Sequence, residues 1–157
     1  MSAIEDRLRT LNITLPAAAA PVANYVPCVI SGSLLVVSGQ LAFGDDGKLD
    51  PGHVGKIGGA VSVEAGRAAA QRCAINILAQ AKAALGDLDR IRRCVRLGGF
   101  INTAPGFSQV ASVMNGASDL IVEVLGEAGR HARSTVGVAE LPFDCAVEVE
   151  ALFEIAI

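Results

Sequence analysis

The strictest hydrophobic–polar alternation in the chain lies near its C-terminal end. It runs over Arg130–Ala139 and again over Ala146–Ile155, with Glu140-Leu141-Pro142-Phe143-Asp144-Cys145 between them. A period of two marks a half-buried strand. Pro and Asp suit a turn, so the pattern predicts a hairpin closed by a loop over Leu141–Asp144. Val136, Val138, Val147, Val149, Ala151, Phe153 and Ile155 then share one face, assigned to the core. Arg133, Thr135, Gly137, Glu148, Glu150 and Glu154 share the other. A one-residue slip would bury the charges, so the faces are well specified. In this hairpin Glu148 lies opposite Gly137, roughly 13 Å along the strand from Arg133 at about 3.4 Å per residue. Glu150 lies opposite Thr135 and is nearer.

Elsewhere the period lengthens. Ile4, Leu8 and Leu11 make one stripe of a short helix over Ala3–Leu11. Leu15–Pro21 is a Pro/Ala loop that runs extended. Tyr25–Ile30 reads as a strand, with Pro27 placing it at an edge or a bulge. Leu34–Val37 reads as a buried strand ending in Ser38-Gly39-Gln40, where Gly39 marks a bulge or a close backbone approach. Ser62 is a helix N-cap, and Ala70, Ala74, Ile77, Leu78, Ala81 and Leu85 form the stripe of a long helix that Gly86 stops. Asp89–Asn102 reads as a strand with Val95, Leu97 and Ile101 inward. Ser108–Gly129 reads as a second long helix, with Val110, Val113, Met114, Ala117, Ile121, Val124 and Ala128 inward. The order ββ–α–β–α–ββ predicts an α+β single domain over residues 1–157, in which two helices cover one face of a single sheet. The other face is then either wet or sealed by another subunit.

Composition narrows the class. Of the 157 residues, 52% are hydrophobic and 18% charged, which supports a packed core and excludes a disordered chain. Aromatics are only 4%, so that core is aliphatic. The net charge of −3 gives no bulk attraction to nucleic acid. Arg92, Arg93 and Arg96 cluster without interleaved aromatics and read as a solvated strand end. Cys28, Cys73, Cys94 and Cys145 form no C-x-x-C pair, and with His53 and His131 they give no zinc spacing. They read as small buried hydrophobes, and His53 as a solvated loop residue. The Gly-rich loop over Gly44–Val61 fits neither a phosphate-binding nor a calcium-binding pattern. No metal or cofactor is implied. There is no signal-peptide core and no run of 18 apolar residues, so a reduced cytoplasmic compartment is the simplest inference.

Several ordered pieces carry chemistry. They are Tyr25-Val26, Ser38-Gly39-Gln40, Asn115, Ala132-Arg133-Ser134-Thr135-Val136, Glu140-Leu141-Pro142 and Val147-Glu148-Val149-Glu150-Ala151. As an ordered set they resemble the Rid family of reactive intermediate deaminases, also called YjgF/RidA or L-PSP, from about Pro21 to Ile157. The chain resembles a divergent branch of it. Residues 1–20 are an N-terminal helix and loop extension with no counterpart in the compact members.

The resemblance implies a chorismate-mutase-like fold and a homotrimer whose sheets pack into a barrel, with small-molecule sites between subunits. In the best-known branch it implies hydrolysis of 2-enamine/2-imine acids to 2-oxo acids and ammonia, without a cofactor. Arg133 falls on the carboxylate-binding arginine, and a guanidinium fork suits a carboxylate. Glu148 falls on the acid that positions water as general acid/base, with Glu150 its rival. Thr135 falls where the deaminase branch has Cys. Tyr25, Gly39 and Asn115 fall on other substrate-lining positions. Two readings stay open: an imine deaminase, and a non-catalytic module that binds a 2-oxo acid or similar carboxylate. A third, an endoribonuclease, is disfavoured by the acidic pI and the missing aromatic or basic stripe.

Overall fold

A computed structural model describes residues 2–20 and 24–157. Pro21, where the sequence places the end of the extended loop and the start of the family-like domain, lies outside the described residues. Three helices and five strands follow in the order α1 (Ala3–Thr10), β1 (Cys28–Ser31), β2 (Leu34–Leu41), α2 (Val63–Leu85), β3 (Ile91–Asn102), α3 (Val110–Leu125), β4 (Ala132–Val138) and β5 (Val147–Ile155). The fold is α+β, one five-stranded sheet in the order β1-β2-β5-β3-β4, with α2 and α3 packed on one face.

Local chemistry sets the helix ends. Ser62 accepts from the Ala65 N–H at the start of α2, and Gly86, at φ 75°, ends it. Gly126 (φ 62°) stops α3 short of its expected end, and residues 126–129 tighten into a 3-10 turn. Ala128 is therefore only half-buried, and Leu120 joins the inward stripe instead. Gly116 lets α3 approach α2 closely, because a β-carbon there would collide with the Arg67 carbonyl. In β3 the register shifts between Cys94 and Arg96. That bulge turns Cys94 into the core and leaves Val95 half-buried, contrary to the simple alternation.

The C-terminal hairpin does not form. β4 pairs with β3, in parallel, while β5 inserts between β2 and β3 and pairs antiparallel with both. Alternation specifies a strand and its faces, but not its neighbour. β3, α3 and β4 make a β-α-β unit, which sends β4 to the sheet edge. β5, whose inward face Val147, Val149, Ala151, Phe153 and Ile155 is wholly buried, takes the centre.

This pairing also reverses the faces of β4. Arg133 stands beside Leu97, which stands beside Ala151, and both partners are core residues. Arg133, Thr135 and Gly137 therefore point to the helix side. Val136 stands beside Phe100 and Glu148 on the uncovered side and is exposed. Val29, Leu34 and Val36 are exposed there too.

Residues 139–146 cross the end of β3 and are pinned by a buried amide. Asn102, fully buried, donates Nδ2 to Asp144 Oδ1 (2.8 Å) and to the Cys145 carbonyl (3.2 Å). Its Oδ1 accepts from Lys56 Nζ (2.8 Å), and Lys56 also reaches the Ala139 carbonyl. His53 sits in this knot rather than in solvent. Its carbonyl accepts from the Ala146 N–H (2.8 Å), and its Nδ1 is buried without a partner.

Candidate functional site between two faces of the sheet

The six residues singled out in the sequence fall into two groups on opposite faces. The first contains Tyr25, Gly39 and Glu148. The register of β2 against β5 shifts between Val37 and Gln40, so Gly39 lies in a bulge. Glu148, in β5, folds its carboxylate over the Gly39 backbone, into the space a β-carbon would fill. Ser38 next to it donates its hydroxyl to the Pro27 carbonyl (2.9 Å), tying the bulge to the start of β1. Burial, and secondarily the charge of Glu150, raises the Glu148 pKa. Glu148 opens into a cavity of about 820 Å³, with Tyr25 at its mouth.

Residues the sequence did not point to complete this cavity. Asn76 on α2 donates to the carbonyls of Leu41 (2.8 Å) and Phe43 (3.0 Å). One turn on, Gln80 donates to the Ala19 carbonyl (2.8 Å), holding the segment after α1 against the opening. Phe43 and Phe143 meet edge to face at the rim, ring centroids 6.2 Å apart. A polar residue repeated at i and i+4 inside an apolar helix is the one sequence signal that would have found Asn76 and Gln80.

The second group contains Asn115, Arg133 and Thr135. Arg133 Nη1 donates to Asn115 Oδ1 (2.8 Å) and Ser118 Oγ (3.1 Å), both on α3. His131 Nδ1 lies 2.6 Å from the Gly129 carbonyl, and its Nε2 lies 3.0 Å from Ser118 Oγ. Carbonyls only accept, so Nδ1 donates to Gly129, and Nε2 is paired with the Ser118 hydroxyl. Ser118 and His131 thus steady the guanidinium from one side. Thr135 Oγ1 is buried without a hydrogen-bond partner. The hairpin expectation that placed Glu150 opposite Thr135 does not hold. Glu150 stands beside Gly98 on the uncovered face, 3.5 Å from Arg96 Nη1.

The two groups do not converge within one chain. Arg133 and Glu148 are two strands and three residues apart in register, about 14 Å between α-carbons at ordinary sheet spacings. Their side chains leave the sheet on opposite sides. Among the described residues no cluster of His, Cys, Asp or Glu could hold a metal ion. Burial pushes Cys28 up to about 11 and Cys94 and Cys145 up to about 12, so these thiols stay protonated.

A family model described as "YjgF/chorismate mutase-like, putative endoribonuclease" matches residues 5–154. The chain belongs to this family. It is 53% identical over 153 residues to Protein TCP17 of Trypanosoma cruzi, covering 97% of this chain and 94% of that one. The crystal structure of Atu1372 from Agrobacterium tumefaciens is 52% identical and superposes with a TM-score of 0.89, covering 98% of this chain and 92% of that one. A "putative endoribonuclease" from Shewanella oneidensis MR-1 is 36% identical, with a TM-score of 0.92 and coverage of 97% and 99%. These family members follow the chain from α1 onward, so the N-terminal extension is shared with them. No helix among the described residues is long and apolar enough to cross a membrane.

Proposed function

We propose that this protein is a 2-enamine/2-imine acid deaminase, hydrolysing its substrate to a 2-oxo acid and ammonia at a site completed between two copies of the chain. The observation that carries the reading is the division of labour between the two faces. One holds a partly buried acid over a glycine in a cavity, and the other holds a pre-oriented arginine at the sheet edge. A homotrimer packed through the uncovered face would bring the Arg133 group of one copy beside the Glu148 group of the next. The exposed Val29, Val36 and Val136 support such cover.

In this reading Arg133 binds the substrate carboxylate through charge-assisted hydrogen bonds, with Asn115 and Ser118 fixing its fork. Backbone groups near Thr135 and Gly39 hold the imine end. Water adds to C2 of the protonated imine while Glu148 takes one of its protons. The resulting carbinolamine then accepts that proton on nitrogen, the C–N bond breaks, and ammonia leaves as the C2 hydroxyl becomes the ketone and releases its own proton. Burial raises the proton affinity of this carboxyl, which helps it to take the proton and then return it. The iminium is intrinsically electrophilic, so these residues suffice.

Binding without turnover is the second reading. Thr135 favours it, because the resembling deaminase branch has Cys there. Cleavage of RNA is not supported, since the charged residues lining the cavity, Asp45 and Glu148, are both acidic and oppose a phosphate backbone. The test generates 2-imino acids in situ with an amino-acid oxidase and catalase and follows their decay. Wild type should accelerate 2-oxo acid release, and Glu148→Gln should slow it by roughly 10²-fold or more. Binding of 2-oxo acids without any acceleration would leave the binding module.

A further inference from the structure

The cavity beside Glu148 is much larger than a small imine needs. At about 820 Å³ it falls in the range of about 300–1,000 Å³ that encloses ligands of drug size. Its polar side chains are Ser38, Gln40, Asp45, Asn76, Gln80 and Glu148; the amides of Asn76 and Gln80 are taken up by backbone carbonyls and Asp45 is paired with Arg72. The remaining wall includes Pro16, Ala18, Tyr25, Phe43, Pro142 and Phe143.

That wall is built by buried groups. Gln80, only 3% exposed, holds the Ala19 carbonyl and so fixes residues 16–20 along the opening. Asn76, four residues earlier on the same helix, holds Leu41 and Phe43 on the opposite rim. The buried Asn102 holds Asp144 on the crossover. Both Phe143 (φ 57°) and Asp144 (φ 54°) adopt the left-handed region, which costs free energy for residues other than glycine. The strained backbone sets Phe143, 71% exposed, edge to face against Phe43 at the rim. A large, mostly exposed aromatic side chain held this way offers an apolar surface at the rim.

We infer that this site takes 2-imino and 2-oxo acids with a large apolar, aromatic-type side chain, and that residues 16–20 together with Phe143 form the wall that selects them. The inference rests on the proposed 2-oxo acid chemistry at Glu148 and Arg133, and adds the substrate class. The head group lies at the Glu148 end, and the side chain fills the cavity against the Phe43–Phe143 pair, where offset or edge-to-face ring contacts are available.

Calorimetry with phenylpyruvate and pyruvate tests it on the full-length protein. Wild type should bind phenylpyruvate at least tenfold more tightly. Ala18→Phe, which fills the cavity from the wall, should reduce that ratio tenfold or more. Phe143→Ala should reduce it severalfold, and because Phe143 is on the surface this variant folds even if Ala18→Phe does not. Equal or tighter binding of pyruvate by wild type overturns the assignment of substrate class while leaving the 2-oxo acid reading intact. A preference for phenylpyruvate that survives both variants also overturns it, since the side chain would then bind elsewhere, as it would if a partner subunit filled this cavity. Failure of both acids to bind removes the underlying reading and this one together.

Discussion

The carboxylate of Glu148 occupies the space that a side chain at Gly39 would take. A strand bulge, a glycine and a half-buried acid are thereby joined into one device. The obstructing atoms are the far end of a flexible side chain, so Gly39→Ala would push Glu148 aside at little cost to the fold. Removing a glycine from the unfolded ensemble offsets part of even that cost, by about 0.4–1 kcal/mol. Gly39→Ala should therefore keep the wild-type melting temperature within a few degrees and lose at least tenfold in imine hydrolysis. Scanning calorimetry beside the decay assay separates the two effects. A large loss of stability with full activity would show that Gly39 serves the strand and not the acid.

Arg133→Ala should weaken 2-oxo acid binding by about 2–3 kcal/mol, the worth of a charge-assisted contact of this kind. Arg133→Lys should recover only part of it, because a point charge cannot reproduce a fork. Titration calorimetry reads both, and an Arg133→Ala affinity equal to wild type would place the carboxylate elsewhere.

The raised pKa of Glu148 has a definite sign in two experiments. Burial acts first and Glu150 second. Hydrolysis needs the ionised form, so the acid limb of the rate profile should lie above the ordinary carboxylate range and move down in Glu150→Gln. In folding, a raised carboxyl contributes stability that is present below the unfolded pKa and lost as pH rises through the folded value. Glu148→Gln should therefore melt at a higher temperature than wild type at pH 7, with the gap closing toward pH 4. A gap that widens on acidification would contradict the direction of the shift.

Light scattering should give three times the 16.1 kDa chain mass at micromolar concentration. Val36→Glu or Val136→Glu, which place a charge on the exposed apolar face, should shift the mass toward monomer. A wild-type monomer would remove the composite site.

The N-terminal helix is held by its own cap. Asp89 accepts from the Ser2 hydroxyl (2.6 Å) and the N–H groups of Ala3 (2.7 Å) and Ile4 (2.9 Å). The Ser2 contact is the largest cause of its lowered pKa. That stabilisation is present above the unfolded carboxylate pKa and is lost as pH falls through the folded one. Asp89→Ala should speed hydrogen exchange across Ala3–Thr10 at neutral pH while leaving α2 and α3 protected. Unchanged exchange in α1 would mean that burial of Leu8 alone holds the helix.

What the sequence determined by itself was local. The two long helices, the Ser62 and Gly86 ends of the first, the Gly39 bulge, the edge position of β1 and the buried face of β5 all follow from propensity, capping and periodicity, which act within a few residues. The residue types of the candidate site were legible as well, through the ordered pieces around Tyr25, Gly39, Asn115, Arg133 and Glu148. Tertiary structure decided which strands became neighbours. Alternation at Val136 and Val138 fits either face of a sheet, and only the parallel pairing of β4 with β3 set Arg133 under α3 and Val136 on the open side. The same pairing separated Arg133 from Glu148. The cavity wall was equally invisible, because Asn76, Gln80, Phe43 and Phe143 come from three distant segments whose meeting depends on how α2 crosses the sheet and how residues 139–146 pass over β3.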